Sequence, residues 1–188
     1  MDGLRDDPVM RGLIDEFGVL ELVPAENEFQ RLVTSIINQS VSTAAATAVR
    51  ERVFDELNGD VTPERVLGTD ESRLVEAGLG KAKTEYVKNA AEAFQKGGLD
   101  RESLRGVSNG EVTSELTRIR GIGEWTARMY LIFALGREDL FPVGDLAVRR
   151  AMEQLYGLDT REEMTEYAER WRPYRSYATL YLWEWYES

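Results

Sequence analysis

The amino-acid sequence predicts an all-α protein. Nearly every segment with a readable hydrophobic period repeats at helical spacing, and no alternating segment is bounded by turn residues on both sides. Helix start and stop signals also recur along the chain. With 188 residues and a mass of 21.4 kDa, the chain can form one domain or two small lobes and bury a core without disulfides or metal ions.

We expect about nine or ten helices, because the shortest segments are ambiguous. The candidate segments lie at about residues 6–17, 28–38, 42–57, 63–67, 70–77, 81–96, 109–120, 124–135, 145–156, 161–170 and 173–187. Capping patterns mark three of the starts: Thr62 before Pro63, Ser108 with Glu111, and Thr160 with Glu163. Glycines mark three of the stops: Gly59, Gly97 and Gly121.

Composition excludes several classes of chemistry. The chain has no cysteine and no histidine, so it lacks disulfides, iron–sulfur clusters and Ser-His-Asp triads, and carboxylates remain as the acid/base groups. No stretch approaches the ~20 uninterrupted apolar residues of a membrane span. Met1 leads directly into acidic and basic residues without an apolar signal core. We therefore expect a cytoplasmic protein with no membrane partner.

Charge is spread unevenly. The formal net charge is −11, which taken alone argues against a nucleic-acid partner. Residues 1–30 hold eight acids and two bases and resemble a solvated cap. Residues 116–150 instead hold six arginines and four acids, so basic character is concentrated there. A chance grouping of arginines on one helix face would give the same count.

The segment from Leu116 to Ala127 contains a Gly121-Ile122-Gly123 turn between two predicted helices. The glycines permit positive φ and close approach of the backbone to another molecule, while Leu116, Ile119 and Ile122 cover the inner side. Backbone N–H groups at the start of the second helix suit a phosphate, and Arg118 and Arg120 add attraction for a nucleic-acid backbone. The simpler alternative is a plain helical hairpin with a glycine stop.

A second turn, Pro142-Val143-Gly144-Asp145, delivers a carboxylate to the start of a helix. Taken alone, Asp145 would be explained as an ordinary N-cap. The pairing of this turn with Gly-Ile-Gly-x-Trp-Thr-Ala, 20 residues from Trp125 to Asp145, resembles the helix-hairpin-helix base-excision DNA glycosylase superfamily and within it the 3-methyladenine DNA glycosylase II branch. Three further segments agree with that resemblance, at residues 36–42, 78–87 and 171–183.

The resemblance implies two helical lobes with a cleft between them. Residues 30–133 would form one lobe and end in the helix-hairpin-helix, and residues 1–29 with 134–188 would form the other and carry the catalytic Asp145. Its substrate would be damaged double-stranded DNA, from which an alkylated purine is flipped out and its N-glycosidic bond hydrolysed. The carboxylate would stabilise an oxocarbenium-like sugar and orient the attacking water, with no cofactor or metal ion. We expect a monomer.

The resemblance also assigns individual roles. Trp125 stands where bifunctional members carry a Schiff-base lysine, which implies a glycosylase without lyase activity. Trp125 and Trp183 match pocket positions, and Met129 with Tyr130 stands where close relatives often place a tyrosine four residues after the tryptophan. Indole faces suit an electron-poor methylated base. Two groups of residues would contact the DNA. Gln39 and Ser40 lie at the turn that fills the gap left by the flipped base, with Gln39 as the inserted wedge residue. The hairpin contributes Arg118, Arg120, Gly121, Ile122, Gly123 and Thr126.

The residues also allow other interpretations. A glycosylase for oxidised or deaminated bases would follow if Met129 reshapes the pocket. A non-catalytic DNA-binding module would use the hairpin only to hold phosphates, and a generic helical interaction protein would use neither. The 19 arginines against four lysines suggest a salty cytoplasm, in which repulsion between an acidic protein and DNA is screened.

Overall fold

The structure, a computed structural model, describes residues 2–188 and is all-helical, with no strand among them. The eleven α-helices within that range are α1 Pro8–Phe17, α2 Glu28–Ile37, α3 Thr43–Glu56, α4 Pro63–Gly68, α5 Glu71–Leu74, α6 Gly80–Gln95, α7 Asn109–Thr117, α8 Glu124–Phe133, α9 Leu146–Tyr156, α10 Arg161–Ala168 and α11 Arg175–Glu187. Short 3₁₀ turns add Asp2–Asp6 and Glu169–Trp171. No helix in the described chain combines the length and apolar character needed to cross a membrane. The all-α prediction is confirmed.

The predicted caps begin the helices to which they were assigned. Thr62 accepts the N–H of Arg65, and both capping boxes, Ser108 with Glu111 and Thr160 with Glu163, form reciprocally. One stop differs from the prediction. Helix α7 ends at Thr117 and not near residue 120, so Gly121 lies inside the connecting turn.

The connection between α5 and α6 contains a π-helical turn, Val75–Leu79, where the sequence predicted a break. Gly78 in this turn has φ +107°, and a Cβ there would lie 2.7 Å from Nη2 of Arg52. The turn therefore packs directly on α3, and a side chain at position 78 would displace the Arg52 guanidinium and adopt an unfavourable backbone conformation.

The chain divides into two compact units. Unit 1 combines the N-terminal residues up to Pro24 with Gly136–Ser188, and unit 2 is Ala25–Leu135. The sequence predicted boundaries at 29/30 and 133/134, and the structure divides at 24/25 and 135/136. Met1, which the predicted lobe of residues 1–29 and 134–188 included, lies outside the described residues.

Unit 1 is built on α9 and α11, which pack against each other, with α1 against α11. Asp7 caps α1 and is 5% exposed, so the expectation that residues 1–30 form a solvated cap is wrong at this position. Its carboxylate also accepts hydrogen bonds from Tyr167 Oη at 3.1 Å and from Trp171 Nε1 at 3.0 Å. The first helix is thereby fixed to the aromatic core of unit 1 by one buried charge.

Unit 2 places α2 in the centre, in contact with α6, α8 and α3. One face of α2 is apolar and buried, including Leu32, Val33 and Ile36 at 0% exposure. Helix α8 packs on α2 and on α7, which holds the α7–α8 turn on the same body as the α2–α3 turn.

Candidate active site

The α7–α8 turn has the predicted helix-hairpin-helix form. Ile119 N–H donates to Leu116 O and Ile122 N–H to Ile119 O, each at 3.0 Å, which closes two tight turns in succession. Leu116 and Ile122 are buried and Ile119 is half-buried. Helix α8 then begins after Gly123, whose lack of a side chain leaves the first N–H groups without a side-chain cap.

The two hairpin glycines have different functions. Gly121 has φ +98°, and a Cβ there would overlap the Tyr86 side chain at Cγ, Cδ1 and Cβ. Gly123 has φ −92°, so the expectation of positive φ is wrong for it. It is exposed, and nothing lies within 4 Å of a Cβ built there. Gly121 therefore fits the chain to Tyr86, whereas Gly123 keeps the outer surface of the turn open.

Gln39 connects the α2–α3 turn to the hairpin. Its Nε2 donates to Gly121 O at 2.9 Å and to Thr126 Oγ1 at 2.8 Å, which uses both amide hydrogens inside the protein. Thr126 is 2% exposed. Gln39 and Thr126 therefore form a bridge within unit 2, and their contacts with DNA stay predictions. Ser40, at φ +55°, and Val41, at 46% exposure, form the exposed part of the turn.

Lys83 braces the same turn and was missed by sequence reasoning. Its Nζ donates to Ile37 O at 2.6 Å and to Gln39 O at 2.7 Å, at the end of α2 where carbonyl groups lack helical partners. Burial lowers the pKa of this lysine from its ordinary value. Two signals were present in the sequence: Lys83 lies in the 78–87 segment that agrees with the resemblance, and the chain has four lysines in all.

Arg118 and Arg120 lie on the surface beside the hairpin. Arg118 pairs with Glu115 and Arg120 with Glu85, each at 2.6 Å, and the arginine side chains are 72% and 75% exposed. Exposed pairs of this kind contribute about 0–1 kcal/mol. Replacing either glutamate by a phosphate oxygen as the partner of its arginine therefore costs little free energy.

Asp145 ends the second predicted turn and caps α9, in unit 1. Its N–H donates to Pro142 O at 2.8 Å, and Arg149 Nη1 donates to Gly144 O at 2.8 Å, so both sides of the turn are braced. The carboxylate Oδ1 accepts the N–H of Val148 at 3.0 Å.

Trp183 contacts Asp145 directly. Its indole Nε1 donates to the same Oδ1 at 3.0 Å, across 38 residues of sequence. Trp183 is half-buried against the core of unit 1, opposite in helical phase to Tyr174 and Tyr181. Two N–H donors on one carboxylate oxygen fix the orientation of the Asp145 side chain. No group of three or more acidic residues within 2–188 could hold a metal ion.

The remaining predicted pocket residues lie on α8. Trp125 is half-buried, whereas Met129 is 4% and Tyr130 0% exposed. Tyr130 Oη donates to Leu99 O at 2.6 Å, and burial raises its pKa above the ordinary value. The assignment of Met129 and Tyr130 to a substrate pocket is therefore corrected, because both belong to the interior and offer almost no surface to a ligand.

A hairpin turn that leaves backbone N–H groups uncapped at one helix start, together with a braced carboxylate at another, is typical of helix-hairpin-helix proteins that act on DNA. The comparison with known families agrees. The family model of the HhH-GPD superfamily base excision DNA repair proteins matches residues 33–173, and the chain belongs to that superfamily.

Individual relatives are similar over most of the chain. The putative DNA-3-methyladenine glycosylase YfjP of Bacillus subtilis is 29% identical over 184 residues, 93% of this chain and 64% of its own length. DNA-3-methyladenine glycosylase 1 of Schizosaccharomyces pombe is 32% identical over 83% of this chain and 71% of its own. The structure of S. pombe 3-methyladenine DNA glycosylase (Mag1) in complex with abasic DNA has a TM-score of 0.86 at 28% identity, covering 98% of this chain and 96% of that one. The chain thus spans slightly under two thirds of YfjP.

Proposed function

We propose that this protein is a DNA glycosylase that removes alkylated purines of the 3-methyladenine type from double-stranded DNA in base excision repair. The observation that carries the proposal is the carboxylate of Asp145, oriented by two N–H donors at a helix start. Similarity to relatives named 3-methyladenine glycosylases supports the choice of substrate. A carboxylate so fixed can stabilise positive charge developing on the sugar without having to reorient.

The residues divide into contacts with the DNA backbone and contacts with the base. Gly123 and the N–H groups that begin α8 would receive a phosphate, with Arg118 and Arg120 adding attraction. Trp125 would provide an aromatic face for the methylated base. Trp183 would act as a positioning residue, because it holds Oδ1 of Asp145.

Replacing Asp145 by asparagine separates catalysis from capping. Asparagine caps a helix as well as aspartate does, so a capping role alone predicts an unchanged protein. We expect Asp145→Asn to release 3-methyladenine and 7-methylguanine from methylated duplex DNA about a hundredfold more slowly while it still binds the duplex. Asp100→Asn is the matched control, because Asp100 likewise accepts a backbone N–H, from Ser103 at 2.9 Å. An unchanged rate of base release in Asp145→Asn would contradict the mechanism.

We further propose that the reaction stops at the abasic site. Trp125 supplies no amine, and the nearby Lys83 amine is engaged by two backbone carbonyls. Borohydride reduction during turnover should therefore trap no covalent protein–DNA complex. Any trapped complex in the wild type would overturn the assignment, and its loss or persistence in Lys83→Gln would show whether Lys83 or another amine had formed it.

The lesion class is tested by a panel of duplexes. Alkylated purines should be released faster than 8-oxoguanine, hypoxanthine or uracil, and the reverse order would favour an enzyme for oxidised or deaminated bases. Absence of release from every duplex, with binding retained, would favour a non-catalytic module. A monomeric, cytoplasmic enzyme remains a prediction, which size-exclusion chromatography and cell fractionation can check.

A further inference from the structure

A pocket of about 480 Å³ in unit 2 lies outside the site described above. Residues from the beginning of α2 form one wall and residues from α3 the other. Its lining is Ala25, Glu26, Asn27, Gln30, Arg31, Thr34, Arg50 and Phe54. The pocket thus combines two arginines and an aromatic ring with one carboxylate.

The two arginines have no anionic partner. Within the described residues, the guanidinium group of neither Arg31 nor Arg50 forms an ion pair or a hydrogen bond, although the protein has 34 acidic residues against 23 basic ones. Glu28, the carboxylate on the first turn of α2, lies 3.7 Å from Arg101. Two uncompensated cations in one pocket are unfavourable unless an anion joins them.

The surroundings of Arg31 show that its positive charge is not compensated by the protein. Its guanidinium carbon lies 4.2 Å from the centre of the Phe133 ring, and its buried Nε has no hydrogen-bond acceptor. Burial and the neighbouring Arg50 lower the pKa of Arg31 to about 10. The two terminal nitrogens are not among the buried, unpartnered atoms, so they remain accessible from the pocket.

The pocket is separate from the hairpin. Helices α2 and α8 run antiparallel, because Gln39 meets Thr126 at one end and Arg31 meets Phe133 at the other. From Arg31 to the end of α2 at Ile37 the helix rises about 9 Å, and Gln39 lies two residues beyond that end. A phosphate bound at the hairpin therefore does not reach this pocket.

We propose that Arg31 and Arg50 form a second anion site, for a phosphate monoester, with the Phe54 ring and the Gln30 amide available to the group that carries the phosphate. A phosphate monoester carries nearly two negative charges at neutral pH and so matches two guanidinium groups, whose planar forks suit its oxygens. Its source is either a free phosphate compound or the phosphorylated end of a DNA strand. The site does not depend on the glycosylase reaction.

Thermal unfolding of the full chain tests the site. Inorganic phosphate and deoxyadenosine 5′-monophosphate, each compared with chloride at equal ionic strength, should raise the Tm of the wild type by about 5 °C or more near saturation. Arg50→Gln should abolish this increase while leaving the Tm in chloride unchanged or higher, because repulsion of Arg31 is removed. Arg105→Gln, which removes an exposed arginine from the same unit, is the matched control and should retain the full increase.

Two further arms identify the source and guard against misfolding. The first arm compares the affinity of the protein for duplexes with and without a 5′-phosphate. A preference for the phosphorylated duplex that Arg50→Gln loses assigns the site to strand ends. A response to the free phosphate compounds alone assigns the site to those compounds. Arg50→Lys keeps the charge but loses the fork, so it should bind phosphate about tenfold more weakly by calorimetry. Equal ligand responses in Arg50→Gln and Arg105→Gln, or no wild-type response in any arm, overturn the proposal. Base release should stay at the wild-type rate in Arg50→Gln.

Discussion

The two hairpin glycines allow a matched test of the structure. Substitution of Gly121 by alanine forces a side chain into a left-handed conformation, at a cost of about 1–2 kcal/mol. The new methyl group also overlaps the Tyr86 side chain at Cβ and at the ring, where no flexible end can move away, and such overpacking costs about 1–3 kcal/mol. We expect Gly121→Ala to lower the free energy of unfolding by about 2–5 kcal/mol.

Gly123→Ala is the matched control for this prediction. Its φ is −92° and its Cβ would meet nothing within 4 Å, so the free energy of unfolding should stay within about 0.5 kcal/mol of the wild type. Its affinity for duplex DNA should nevertheless fall, because the methyl group stands on the outer surface of the turn. Urea denaturation and fluorescence anisotropy measure the two quantities. Equal stability of the two variants would refute the assignment of separate functions.

Three other predictions concern the buried polar groups. Trp183→Phe removes one of the two donors to Asp145 and should slow base release about 10- to 100-fold with little change in duplex affinity, measured under single-turnover conditions. Asp7→Asn replaces an oxygen acceptor and its charge and should lower the free energy of unfolding by about 1–3 kcal/mol in urea titrations; an unchanged midpoint would show that Asp7 does not fix α1. Burial raises the pKa of Tyr130 and Tyr156. Their contribution to the free energy of unfolding is therefore complete below about pH 10, where tyrosine in the unfolded chain begins to ionise. Above that pH it falls by about 1.4 kcal/mol per pH unit for each tyrosine. Tyr130→Phe should make the alkaline decline shallower.

The helices could be predicted because their ends carry local chemistry. Thr62, Ser108 and Thr160 satisfy backbone N–H groups within three residues of themselves, so their effect can be seen in a short stretch of sequence. The turn at Asp145 was predictable for the same reason. Its contact with Trp183 was not, because 38 residues separate the partners and only packing brings them together.

Long-range hydrogen bonds and uniform apolar runs account for the errors. After Arg128, helix α8 continues as Met129-Tyr-Leu-Ile-Phe133, a run without a charged position to indicate the face turned to the interior, so Met129 and Tyr130 could not be separated from Trp125. Gln39 was expected to face DNA because the family that this chain resembles inserts a side chain from this turn into the gap left by the flipped base. Its partners Gly121 and Thr126 are more than 80 residues away, and they decide its direction.

The bridge from Gln39 also bears on how this protein can be re-engineered. The residue anchors the α2–α3 turn to the hairpin, and Lys83 anchors the same turn from α6. Ser40 and Val41 project from this anchored base as exposed side chains. A combinatorial library confined to these two positions therefore varies the exposed surface of this turn while its anchoring contacts stay constant, whereas a library that includes Gln39 disturbs two turns at once.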